Sequence, residues 1–125
     1  MQRNTRQREA IRLVFKDHPR PLRPEEIHEL AQHQVPGLGL ATVYRAVRDL
    51  CESGELVRVN LPDGNTHFER AGLGHHHHFY CRSCKKVIDF DGCPLPSRMP
   101  APRGFRVDSH DLYLYGLCAP CTHVP

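Results

Sequence analysis

The chain has 125 residues, enough for one ordinary domain or two small ones. It carries no Trp and five Phe, and 39% of its residues are hydrophobic, so any single core is modest and a staple is expected. The start, Met1-Gln2-Arg3-Asn4, has no apolar run. No stretch approaches the ~20 apolar residues of a membrane span. A secretory leader and a membrane partner are therefore not expected, and a cytoplasmic location is. That location favours metal over disulfide for the six cysteines. The net charge of +3 is small, but Arg3, Arg6, Arg8, Arg12, Lys16, Arg20 and Arg23 face only Glu9 and Asp17 at the N-terminal end. Such a local excess fits a polyanion partner, although a solvated helix face looks similar.

In chain order, Asn4 and Gln7 offer an N-cap and its back-bonding residue. Ala10, Ile11, Val14 and Phe15 then recur at helical spacing. Pro19 and Pro21 end that helix, and Pro24 suits the first position of a second. Glu25 and Glu26 complement its dipole, while Ile27, Leu30 and Ala31 face inward. After the turn Pro36-Gly37-Leu38-Gly39, a third helix runs from about Ala41, with Val43, Ala46, Val47 and Leu50 as its stripe and Gly54 closing it. That stripe leaves Thr42, Tyr44, Arg45 and Arg48 outside, where they suit phosphates and base edges in a major groove. Ordinary surface decoration is the plain alternative. Cys51, near the end of the same helix, reads as a small buried apolar residue. Leu56–Leu61 and Thr66–Arg70 read as strands around Pro62-Asp63-Gly64-Asn65. Three helices and a hairpin make a winged helix over residues 1–70.

Ala71-Gly72-Leu73-Gly74 is the expected hinge, and residues 75–125 form a second domain. It opens with His75-His76-His77-His78 running into Phe79-Tyr80-Cys81. Side chains alternate along a strand, so His76 and His78 point one way and His75 and His77 the other. Two imidazoles on one face are half a metal site. Cys81-x-x-Cys84 and Cys118-x-x-Cys121 can together close a four-sulfur tetrahedron, which suits structural zinc; a disulfide or redox pair is the alternative. Residues 85–117 separate the pairs, beyond the roughly 15–20 of a zinc ribbon, so a folded domain must bring them together. Val87–Phe90, Phe105–Val107 and Leu112–Tyr115 read as further strands. The proline-rich stretch between Gly92 and Pro102 has room only for a short helix, and Cys93 within it is not needed for the tetrahedron.

Three stretches taken together, Gly39–Arg45, His75–Cys84 and Ser109–Cys118, resemble the ferric uptake regulator (Fur) family of metal-responsive repressors. The resemblance covers nearly the whole chain. It implies an α+β protein: an N-terminal winged helix-turn-helix domain and a small α/β dimerisation domain with a four-cysteine zinc site. It also implies a homodimer on palindromic double-stranded operator DNA. Structural zinc falls on Cys81, Cys84, Cys118 and Cys121, and the sensing site on Glu69, His76, His78 and Asp89. Where family members add a donor before the second helix, this chain has Pro21; His18 is the nearest replacement, and His28 and His33 do not match. A second site using His75 and His77 would need a donor at Leu117, so that site reads as incomplete. Cys93-Pro94-Leu95 is similar to the zinc uptake regulators.

The sensing ion is argued from donors. His67 and Glu69 share a strand face, and with His76 and His78 they suit tetrahedral zinc, the favoured ion. Asp89 and His18 instead would suit Fe(II) or Mn(II). The expected function is a metal-dependent repressor of metal homeostasis, zinc-sensing first, with iron, manganese or peroxide sensing as alternatives. A zinc store or chaperone would not require the Thr42-Tyr44-Arg45 surface or basic Arg3 and Arg6. No His-Glu-x-x-His helix or nucleophile elbow is present, so no catalytic residue or small organic substrate is expected.

Overall fold

The computed structural model describes residues 2–61, 64–93, 95 and 100–123, with side chains from Thr5 onward. The expected turn at Pro62 and Asp63, most of the proline-rich stretch after Cys93, and the Arg3 side chain lie outside the described residues. The chain forms two compact units, Met1–Gly72 and Leu73–Pro125.

The first unit contains α1 (Gln2–Asp17), α2 (Pro24–Ala31), α3 (Leu40–Glu52), β1 (Leu56–Asn60) and β2 (Thr66–Arg70). Helical spacing puts Ile11, Val14 and Phe15 of α1 on one stripe. They pack with Ile27, Ala31, Val43, Val47 and Leu50 from α2 and α3, and Phe68 of β2 closes this core. Leu22, fully buried, exchanges two backbone hydrogen bonds of 2.8 Å with Phe68, so the α1–α2 loop borders the β1–β2 hairpin. Gly54 ends α3 at φ 84°, a left-handed conformation natural to glycine. Its N–H donates to Cys51 and that of Glu55 to Leu50, satisfying two of the last helical carbonyls. The expected cap at Asn4 is corrected: α1 begins at Gln2 and Asn4 lies inside it. Gln2 and Arg3 are both good helix formers, and nothing there stops the helix.

The second unit has a three-stranded sheet in the order β4–β3–β5, with β3 (His77–Cys81) between β4 (Val87–Phe90) and β5 (Tyr113–Gly116). β3 runs antiparallel to β4 and parallel to β5. A single turn of helix, α4 (Ala119–Thr122), follows. Lys85, at φ 66°, makes the tight turn between β3 and β4. Gly116 lies against Phe79, whose ring carbon would sit 3.2 Å from an added Cβ. The expected strand at Phe105–Val107 does not form: β5 already occupies the second edge of β3, and Phe105 is 72% exposed. Among the described residues of this unit, the buried apolar groups are Cys81, Val87 and Cys118. So thin a core needs another source of stability.

In the first unit, Glu26 caps α2 by accepting from the Arg23 N–H at 3.1 Å, and it pairs with Arg20 at 2.9 Å. Burial works to raise its carboxyl, but the bonds from Arg20 and Arg23 outweigh this and hold it below its ordinary value. A carboxyl lowered on folding contributes stability above the ordinary range, lost as pH falls through the folded value. Glu26→Gln is expected to cost about 1–3 kcal/mol at neutral pH and to flatten the acid limb of stability against pH. Urea unfolding across pH checks this, and an unchanged acid limb would contradict it.

Candidate metal centres and nucleic-acid interface

The outer face of α3 carries the expected nucleic-acid residues. Tyr44 is 48% exposed, Arg45 and Arg48 are exposed, and Thr42 is half-buried. Tyr44 donates to Glu25 at 3.2 Å, and Arg45 donates to Thr42 Oγ1 at 3.1 Å, so both side chains are oriented before any ligand arrives. Desolvation and the Glu25 carboxylate push the Tyr44 phenol above its ordinary value, which keeps it a donor at neutral pH. A cleft between α1 and α3 is lined by Arg8, Arg45 and Arg48, and a second by Arg6, Thr42 and the Pro36–Gly39 turn. Not every α1 cation is equally available. Arg8 pairs with Asp49 at 3.1 Å, and Arg12 is held by Glu55 and Glu9. Arg6 is exposed.

His67 and Glu69 lie two apart on β2, and both are almost completely buried, at 1% and 4% exposure. Buried polar groups of this kind demand partners and are rarely decorative. His28 is occupied locally: its Nε2 lies 2.6 Å from the Leu38 carbonyl. His18, His28 and His33 join no cluster of potential metal donors among the described residues.

In the second unit, strand pairing sets His78 opposite Asp89. Asp89 Oδ1 lies 3.1 Å from His78 Nε2 and 3.7 Å from His76 Nε2, and the two imidazoles stand 5.0 Å apart. His76 Nδ1 lies 2.8 Å from the Gly74 carbonyl. A carbonyl only accepts, so Nδ1 carries a proton, and Nε2 is the ring nitrogen that faces Asp89. That second bond is the kind that orients a metal-ligating imidazole.

The four cysteines of the two pairs converge at the other end of β3. Their sulfurs all lie within 4.8 Å of one another, and all six cysteines of the chain are unbridged. Cys81 Sγ accepts N–H bonds from Cys84 at 3.5 Å and Cys118 at 3.4 Å. Those bonds, first the one from Cys118, bring the Cys81 thiol down to about 6. Hydrogen bonds with Cys118 and Cys81 push Cys121 up to about 12. Four converging sulfurs, one already anionic in character, fit a tetrahedral zinc ion.

His75 and His77 do not lack neighbouring donors. Cys93 and His110 join them, with one donor atom from each residue within 4.8 Å of the others. Leu117 plays no part: it is exposed beside Cys118, beyond the far end of β5. Cys93 is not needed for the four-sulfur tetrahedron, and its sequence neighbours offer it no partner. Its neighbour His110 lies 17 positions further on and 3.3 Å away. The signal that could have found this pair was the register of β4 and β5 against β3.

A winged-helix unit with a basic outer face, followed by a sheet unit gathering clusters of Cys, His and Asp donors, defines the class of this protein. The profile of the Ferric uptake regulator family matches residues 2–115, and the chain belongs to that family. It is 40% identical over 85 residues to the ferric uptake regulation protein of Escherichia coli strain K12, covering 66% of this chain and 57% of that protein. The chain thus spans little more than half of that relative's length. The Campylobacter jejuni subsp. jejuni ferric uptake regulation protein is 30% identical over 125 residues, covering 95% of this chain and 79% of that protein. Among solved structures, a zinc-bound manganese uptake regulator superposes with a TM-score of 0.72 at 25% identity, covering 90% of this chain and 87% of that one. No helix among the described residues is long and apolar enough to cross a membrane.

Proposed function

We propose that this chain is a metal-dependent, DNA-binding transcriptional repressor of metal homeostasis, acting in the cytoplasm as a homodimer on operator DNA and not as an enzyme. The observation that carries the reading is the contact of Asp89 with both His76 and His78, just beyond the recognition unit. His76, His78 and Asp89, with Glu69 and His67 from the first unit, would hold the sensing ion. An ion held by these residues would supply a positive centre linking donors on both sides of Gly72–Gly74. The chain's own residues do the rest: β3 and β4 fix the second unit's donors, and β2 fixes those of the first. A switch of this kind works only as far as the ion prefers one arrangement of the units.

His67, Glu69, His76 and His78 alone would suit tetrahedral zinc. Asp89 adds a fifth donor and a second carboxylate. Five or six nitrogen and oxygen ligands suit Fe(II) or Mn(II) better than the four-coordination zinc prefers. The iron named by the two relatives agrees with this. Zinc sensing stays as the second reading, favoured by the His-rich run and by Cys93. Intrinsic affinity will favour zinc over either ion in vitro, so transcript changes on withholding each metal decide the physiological ion.

Cys81, Cys84, Cys118 and Cys121 would hold a structural zinc whose binding is coupled to folding of the thin second unit. Cys81→Ser is expected to lose tightly held zinc, unfold that unit and abolish dimerisation while leaving the first unit folded. Metal analysis with sedimentation checks this, and a folded zinc-free dimer would contradict it. Tyr44→Ala and Arg45→Ala should each weaken operator binding by roughly 1–3 kcal/mol if they read bases. Arg6→Ala should instead lower the log–log salt slope by about 0.9. Equal losses on random DNA would reduce Tyr44 and Arg45 to phosphate contacts. His78→Ala and Asp89→Ala should keep the fold, the dimer and the cysteine-bound zinc yet lose metal-induced operator binding in a mobility-shift titration. His67→Ala tests whether the first unit's imidazole belongs to the set, and wild-type metal response there would remove it.

A further inference from the structure

The cleft between α1 and α3 encloses about 450 Å³ beside the outer face of the third helix, and Arg8, Arg45 and Arg48 wall it. Among the described residues that line it, Asp49 is the only carboxylate. Its two oxygens meet two different guanidinium groups. Oδ2 lies 3.1 Å from Arg8 Nη2 on α1, and Oδ1 lies 3.9 Å from Arg48 Nε on α3. The carboxylate therefore sits against two of the three cations in the wall. Arg45, one turn earlier on the same side of α3, donates to the neutral Thr42 hydroxyl.

The helix itself gains little from a carboxylate at this position. Asp49 stands in the last turn of α3, where a negative charge opposes the helix dipole and a basic side chain would suit it. Its pair with Arg8 is open to water, the two side chains being 37% and 43% exposed, and pairs of this kind add little to stability. Beneath the cleft the helices are joined by Ile11, Val43, Val47 and Leu50, which are apolar. What the carboxylate does change is the field in front of the cleft. A cation already paired with it meets a phosphate less favourably, because the pair must be broken or the carboxylate repels the incoming charge. Binding to DNA of any sequence comes almost wholly from cations that neutralise phosphates, whereas sequence is read by groups that reach base edges.

We propose that Asp49 is an internal counter-ion of the nucleic-acid face, which masks Arg8 and Arg48 and so limits the protein's grip on DNA of any sequence. Tyr44 and Arg45, whose partners are Glu25 and Thr42, stay outside this masking and keep the reading of bases. The inference rests on the reading of the α3 face as the nucleic-acid surface. A repressor competes for a few operators against a large excess of other sequence, so weak sequence-independent binding leaves more of it at its operators. Asp49 acts through the two arginines and is a positioning residue. Neutralising it removes one negative charge and releases two positive ones in each protomer.

The test is fluorescence anisotropy of the full-length, zinc-loaded protein on a random-sequence duplex, repeated over a range of salt. Asp49→Asn keeps the shape of the side chain and removes its charge. Its affinity for random DNA should rise by roughly fivefold for each arginine released at about 0.15 M salt, and the log–log salt slope should steepen by about 0.9 for each. Asp49→Glu, which keeps the charge, should stay near the wild-type slope. Arg8→Gln should cost more random-DNA affinity in the Asp49→Asn background than in the wild type, because only there is Arg8 unmasked. Promoter DNA selected with the wild-type protein should gain no more from Asp49→Asn than random DNA does. Wild-type protein that prefers no promoter sequence would defeat the repressor reading, and the random-duplex comparison would still decide the role of Asp49. An unchanged or shallower salt slope in Asp49→Asn, or an equal loss from Arg8→Gln in both backgrounds, would overturn the proposal.

Discussion

The central place of β3 in its sheet is the constraint on which the second unit depends. A strand with a neighbour on each side cannot slip its register without exchanging the faces of every side chain. With His77 set opposite Phe90 and Tyr80 opposite Tyr115, the alternation of the four-histidine run is fixed. His76 and His78 meet Asp89 on one face, and His75 and His77 meet Cys93 and His110 on the other. Cys81 ends the same strand and begins the sulfur cluster. One five-residue strand and the two residues before it thus contribute to three separate groups of donors.

The two units are stabilised by different means. The first buries a helical stripe from each of three helices against Phe68 and Leu56, and it is an ordinary apolar core. That rigidity serves the outer face of α3, where Tyr44 and Arg45 are already held by Glu25 and Thr42. Preorganised donors lose less freedom on binding. Among its described residues the second unit has almost no apolar core, and two of the three buried apolar ones are cysteines of the sulfur cluster. A metal ion held by the sulfurs would therefore contribute directly to its folding free energy.

Local periodicity made most of this legible from the sequence. The apolar stripes of α1, α2 and α3, the hairpin strands and the two Cys-x-x-Cys knuckles needed only spacing of 2, 3 or 4 residues. What spacing did not reveal was pairing at long range. Phe105–Val107 has a strand's composition, but whether it pairs depends on which segment reaches β3 first, and Tyr113–Gly116 does. Cys93 and His110 meet only because β4 and β5 enter and leave at one end of the sheet. The contact of Asp89 with both histidines depends likewise on the β3–β4 register. The choice of ion was hard to read for the same reason: it turns on how many donors meet, and that number belongs to the assembled sheet.

The two donor sets on opposite faces of β3 differ in chemistry: Asp89 brings a carboxylate to one, and Cys93 brings a sulfur to the other. The most direct measurement is anomalous diffraction from crystals of the full-length protein grown with zinc and manganese, recorded at the absorption edge of each metal. The account predicts one ion held by His76, His78 and Asp89 and a zinc ion among the four sulfurs. No ion within bonding distance of Asp89, or none among the four sulfurs, would contradict it.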